Sequence, residues 1–220
     1  MQSALADCRQ IGDPRLTAFG LRILSQSAFT LGRYDEAHAA LEESTALNSS
    51  LGDRWGLGAA YRGLGLVAQA QGKHQQALVM FRKGLDTFTE LGGSWWVARV
   101  LAEMGESILA LEDEAESGRV WRESLRIATD IHGTPVALEA LAGLASLQMK
   151  RGELEHALEL LWVVLNHPAS FQDTKNRASQ LRAQVEVQLT RQELEPVQQR
   201  VEDATFASIV EGILSQNGNA

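Results

Sequence analysis

The chain has 220 residues, 45% of them hydrophobic, and a formal net charge of −8. That acidity argues against broad binding to a phosphate backbone, so nucleic acid is not an expected partner of this segment. A single cysteine, Cys8, excludes an internal disulfide; with no apolar run near the ~18 residues of a membrane span and no signal-peptide core, the expectation is a cytoplasmic chain without membrane association.

Four prolines in the whole chain, and no alternating apolar run bounded by turns, predict an all-α protein. Residues 2–11 read as a first helix, stopped by Gly12 in the left-handed conformation that ends helices. Asp13-Pro14 opens the next, with a capping carboxylate followed by a proline whose missing N–H costs nothing at the first helical position. That helix runs to Gly32, and its partner starts near 35 and ends at Gly52. The same succession recurs. Asp53 caps a helix from 54 to about Gly72, and another begins near 75 and stops at Gly92. Ser94 is expected to cap a helix running to Glu112, followed by one from 114 that Gly133 ends, and Thr134-Pro135 to open a helix from 135 to Gly152, followed by one from 154 to Pro168. Ser170 with Asp173 three residues on looks like a capping box. Ala178, Leu181, Val185 and Leu189 continue it as an apolar stripe. Beyond Pro196 and Ala204, the spacing of Val197, Val201, Phe206, Ile209, Val210, Ile213 and Leu214 suggests two short amphipathic helices before a small, polar tail at 216–220 expected to be disordered.

A 40-residue register underlies this order. Gly32, Gly72, Glu112 and Gly152 occupy one position of four copies, with Leu24, Leu64, Met104 and Leu144 upstream and Ser25, Gly65, Gly105 and Ala145 beside them. Downstream come Ala37, Ala77, Ser117 and Ala157, then Leu41, Phe81, Trp121 and Leu161. A large residue next to a small one on a fixed period is what two interlocking helices need where their backbones approach. The segments LGRYDEAHAALEES (31–44), QGKHQQALVMFRKG (71–84) and RGELEHALELLWVV (151–164) carry the pattern, and LEDEAESGRVWRES (111–124) departs from it at Glu112 and Ser117. The pattern resembles the tetratricopeptide repeat (TPR). The resemblance implies an α-solenoid, a right-handed superhelix of about four hairpins at 14–51, 54–91, 94–132 and 135–168. In this reading residues 1–12 form the second helix of a truncated repeat, and 169–215 form a helical cap.

No catalytic or cofactor chemistry is expected. His38, His74, His132, His156 and His167 lie apart, without an HExxH spacing or a cysteine partner for a metal. Gly56, Gly58, Gly63 and Gly65 superficially suggest a phosphate loop, yet no strand precedes them and His74 stands where such a loop needs Ser or Thr; close helix packing explains them better.

What remains is a surface. In a superhelix of paired helices the first helix of each pair lines the groove, here through Phe19, Arg22, Gln26 and Phe29; Ala59, Arg62, Leu66 and Gln69; Arg99, Ala102, Glu106 and Leu109; Glu139, Ala142, Ser146 and Met149. Arg22, Arg62 and Arg99 either balance neighbouring Glu side chains or form a ladder for an acidic peptide, since guanidinium pairs bidentately with carboxylate. Trp55, Trp95 and Trp96 stand at one edge, as staples between repeats or as anchors for a partner. The segments at 41–78 and 157–181 also resemble the helical regions C-terminal to the nucleotide-binding module of bacterial STAND regulators, including LuxR-type and maltose-activator-type proteins. That resemblance implies a sensor or regulatory arm whose partners are a protein or peptide ligand, or upstream domains of the same polypeptide. No Walker loop or effector motif is present in the chain itself.

Overall fold

The computed structural model describes residues 2–189, 194, 197, 200 and 205–215, and it contains eleven helices and no strand among them. They are α1 Gln2–Ile11, α2 Pro14–Thr30, α3 Tyr34–Leu51, α4 Arg54–Ala70, α5 His74–Glu90, α6 Ser94–Ala110, α7 Glu114–Asp130, α8 Thr134–Lys150, α9 Leu154–Asn166, α10 Gln172–Glu186 and α11 Phe206–Ser215. Pro196, Val201, Ala204 and the 216–220 tail lie outside the described residues. The fold is all-α, built of helical repeats of the solenoid class.

Two compact units divide the chain between Leu111 and Glu112. In the first, α1 packs on α2 and each helix through α6 packs on the next in sequence. The small register residues make this possible. Ala37 and Ala77 are fully buried beside Leu41 and Phe81. A Cβ on Gly65 would fall 2.6 Å from the Phe81 ring, and one on Gly84 would fall 3.3 Å from the Gly58 carbonyl oxygen. Glycine at these positions is what lets α4 and α5 approach backbone to backbone. The glycines that superficially suggested a phosphate loop are thus packing residues inside α4, Gly58 facing Phe88 and Gly63 facing Leu41.

In the second unit α7 packs on α8, α8 on α9, α10 on α8 and α9, and α11 on α7. Trp121 is its largest fully buried side chain, seated over Gly143. α10 buries only Thr174, Ala178 and Val185, leaving a polar outer face, and Arg200 donates to the carboxylates of Glu155 and Glu159 on α9.

The turns between paired helices share one backbone device. Gly32, Gly72 and Gly152 have φ of +71°, +73° and +77°, and Glu112 adopts the same conformation at +66°. A side chain in the left-handed region is strained, so the third repeat keeps its turn at a cost the others avoid.

Several expected helix ends fall elsewhere. Asp13 and Asp53 cap as expected, accepting from the Arg15 and Gly56 amides. Ser94 does not cap α6, since Gly93 is the N-cap and Ser94 is already helical. Gly133 likewise caps α8, leaving Thr134 inside the helix. Gly133 is also not the left-handed residue, which is His132 at φ +55°; Gly133 instead closes the α7 turn by donating to the Ala128 carbonyl at 2.7 Å. The Ser170–Asp173 capping box is absent: Phe171 is the N-cap of α10, and the buried Ser170 hydroxyl has no hydrogen-bond partner among the described residues. α10 ends at Glu186, before Leu189.

Candidate interaction cleft

Helices α2, α4 and α6 of the first unit bring several of the singled-out residues to one place. Arg22, Gln26 and Phe29 from α2, Trp55, Arg62 and Leu66 from α4, and Trp96 from α6 line a small open cleft that is continuous with solvent. Its lining is completed by Ser25, Leu41, Ala59, Gly63 and Val67. Gly63 is there because Leu41 fills the space a side chain would need, its Cδ2 lying 2.7 Å from a Cβ built on that glycine.

Not every expected groove residue joins the cleft. Phe19 is 56% exposed and lies beneath the Arg22 guanidinium, 4.9 Å from ring centre to Cζ. Gln69, Trp95, Arg99, Glu106 and Leu109 belong to the same unit but not to the lining. Met149 is half-buried in the second unit. Ala102 and Ala142, expected to face the groove, are buried instead and present nothing to it.

The arginines are not equivalent. Arg62 grips Glu103 bidentately, Nε donating to Oε2 at 2.7 Å and to Oε1 at 3.0 Å, while Nη2 donates to the same carboxylate. Arg99, four residues before Glu103 on α6, adds an Nε bond to Oε1 at 3.2 Å. Side-chain exposure is 6% for Glu103 and 15% for Arg62, so the pair is largely desolvated. Taking a carboxylate out of water costs several kcal/mol, and only such multidentate pairing offsets it. Gln69 reinforces the junction, donating to the Glu103 carbonyl at 3.0 Å and to the Ser107 hydroxyl at 2.9 Å. Arg22, by contrast, pairs with no carboxylate among the described residues. Its guanidinium lies near two aromatic rings, 4.9 Å from the centre of Phe19 and 5.9 Å from that of Trp55.

The tryptophans form one cluster. Trp96 stacks on Phe88 at 5.4 Å and receives Trp55 edge-on at 5.6 Å and Trp95 edge-on at 4.6 Å. Arg62 lies 5.8 Å from the Trp96 ring and Arg99 lies 5.3 Å from that of Trp95. Trp55 therefore ties α4 to α6, yet 41% of it remains exposed. It fills the staple role while leaving a face available.

Glu103 is the residue that sequence reasoning missed. A signal existed: its register mates are Ile23, Gly63 and Gly143, so a carboxylate stands where the other copies have an apolar or minimal side chain. Among the described residues no group of three or more His, Cys, Asp or Glu converges as a metal site would require, and no helix is long and apolar enough to cross a membrane.

No protein-family model and no curated protein matches the sequence. Solved structures do. The chain is similar to BtubC (BKLC) from P. vanneervenii, at 14% identity and a TM-score of 0.70, over all of this chain and 90% of the other. It is also similar to the nearly identical TPR-like repeats of a kinesin-light-chain-type protein from Podosopora anserina, at 19% identity and a TM-score of 0.59, over 94% of this chain and 98% of the other. A point variant of that protein matches equally, at 19% and 0.59 over 93% and 98%. The fold of the helical repeats is TPR-like.

Proposed function

We propose that the chain is a non-catalytic scaffold whose first unit binds a protein or peptide segment in the cleft between α2, α4 and α6. The observation that carries this reading is the convergence of Arg22, a guanidinium with no carboxylate partner among the described residues, with a 41%-exposed tryptophan, Trp55, on a cleft floored by apolar side chains. A partly exposed aromatic anchor beside a cation is the composition enriched at binding hot spots, and the TPR-type fold of the similar structures fits such a role. In its larger setting we read the chain as the sensor or regulatory arm of a STAND-type NTPase or transcription regulator, the context suggested by the segments at 41–78 and 157–181. The alternative is a free-standing adaptor. The open reading frame separates the two: a Walker-type loop encoded upstream supports the arm, and its absence supports the adaptor.

The binding reading is tested by selecting peptides from a random library on the intact chain and measuring their affinity by calorimetry. Replacing Trp55 and Arg22 by alanine should weaken a cleft ligand by about tenfold or more, the loss of one anchor and one charge-assisted contact. Unchanged affinity in that double variant refutes the cleft as the binding surface.

A further inference from the structure

We infer that Glu103 is a specificity-determining residue: an internal carboxylate that occupies the Arg62 and Arg99 guanidinium groups and so limits the cleft to a ligand bearing one acidic group, received at Arg22. This deepens the proposed function and rests on the cleft being a binding surface.

The argument starts from how many donors are left. A run of acidic side chains laid along α2, α4 and α6 would seek one guanidinium per carboxylate, and three arginines stand in that region. Glu103 already holds the Arg62 fork through both its oxygens and takes the Nε of Arg99 as well. It reaches this position from α6, with a side chain 6% exposed, and is fixed by its own helix and by the Gln69 bond to its carbonyl. A ligand carboxylate arriving there meets guanidinium groups whose nearest acceptor position is already taken by the Glu103 oxygens. To displace Glu103 it would have to leave that carboxylate buried without its partners, which is strongly unfavourable. At Arg22 no such competitor exists among the described residues. Its Cζ lies 4.9 Å from the Phe19 ring centre and 5.9 Å from that of Trp55, and a guanidinium so placed keeps N–H donors for a carboxylate. Apolar Phe29, Leu66 and Val67 share the same cleft. The chemistry that fits is one carboxylate adjacent to an apolar side chain, not a polyacidic run.

Two probes test this on the intact chain: a decapeptide of glutamates, and a decapeptide with one glutamate next to a leucine in a glycine-serine background. Calorimetry on the parent should show tighter binding of the single-acid probe, weakened more by Arg22→Gln than by Arg62→Gln. Glu103→Gln keeps the shape but releases two guanidinium groups from their carboxylate, and should raise affinity for the oligoglutamate by about tenfold or more while leaving the single-acid probe nearly unchanged. The inference is overturned if Glu103→Gln leaves the preference between the probes as in the parent, or if Arg62→Gln weakens the oligoglutamate as much as Arg22→Gln does. The second comparison decides the matter even where Glu103→Gln fails to fold. If both probes bind with no dependence on Trp55, the cleft reading itself falls; if binding depends on Trp55 but not on Glu103, only the selector role falls.

Discussion

Gly143→Ala is a one-carbon change whose consequence is set by the Trp121 ring. A Cβ built on Gly143 lies 2.2 Å from Trp121 Nε1 and 2.3 Å from Cε2. Non-bonded heavy atoms rest at about 3.5–4.0 Å, so ring or helix must retreat by more than ~1 Å. Trp121 is fully buried and cannot swing into solvent, which leaves separation of α7 from α8 as the relief. Overpacking of this kind costs roughly 1–3 kcal/mol and occasionally more, and an overlap with a rigid ring places the change near about 3 kcal/mol. Gly212→Ala is the matched control: nothing lies within 4 Å of a Cβ there, at an exposed position of α11, so the substitution should be neutral or stabilise by about 0.5–1 kcal/mol through helix propensity. Urea unfolding followed by circular dichroism and tryptophan fluorescence would be fitted without assuming two states, because repeat arrays and two-unit chains unfold in parts. A Gly143→Ala midpoint equal to or above the parent's would refute the packing argument.

Ala77→Leu should force α4 and α5 apart at a fully buried position and cost roughly 1–3 kcal/mol or more; thermal unfolding identical to the parent would show the register to be misassigned. Glu112→Gly should stabilise by about 0.5–1 kcal/mol, the relief of a left-handed side chain outweighing the extra freedom of glycine in the unfolded state, and a lowered urea midpoint would contradict this. Glu123 has its pKa held below the ordinary carboxylate range, first by the hydrogen bond from Arg126. A depressed folded pKa contributes stability above the unfolded value that is lost as pH falls through the folded one, so Glu123→Gln should destabilise at neutral pH and match the parent once the carboxyl is protonated in both folded and unfolded states. With the side chain 38% exposed the screened effect is only about 0.2–0.5 kcal/mol; a gap that widens on acidification would reverse the assignment.

The repeat was legible because its signal is steric. Ala37, Ala77 and Ala157 are conspicuous only as small residues on a period, and the periodicity follows from the closeness of the helices they separate. The helix starts were less so. Ser94 and Thr134 are good capping residues, yet the chain is already helical at both, because Gly93 and Gly133 turn into the helix one residue sooner. Which of two adjacent residues caps depends on the entry angle of the chain, which a local pattern does not encode. The cleft was half legible. Counting from the groove face of α2 and α4 led to Arg22, Gln26, Phe29, Arg62 and Leu66, but the same count led to Ala102 and Ala142, which are buried. The pairing of Arg62 with Glu103 spans 41 residues and was invisible to any local spacing rule.

Glu103 also bears on why the first unit carries an ionic group at all. Its register mates Gly63 and Gly143 pack without charge, so the fold does not demand a carboxylate there. Replacing a buried ion pair by well-packed apolar residues is often neutral or stabilising by about 1–4 kcal/mol, whereas removing one partner alone costs about 3–5 kcal/mol. Stability therefore gives little reason to keep the group, and the reason must lie in what an apolar side chain cannot do. A carboxylate with two acceptor oxygens fixes the direction of two guanidinium planes. One of those faces Trp96, which in turn receives Trp55 and Trp95 edge-on, and the other faces Trp95. The charge that withdraws two arginines from an acidic ligand is thus also the charge that orients those two guanidinium groups against the Trp96 and Trp95 rings.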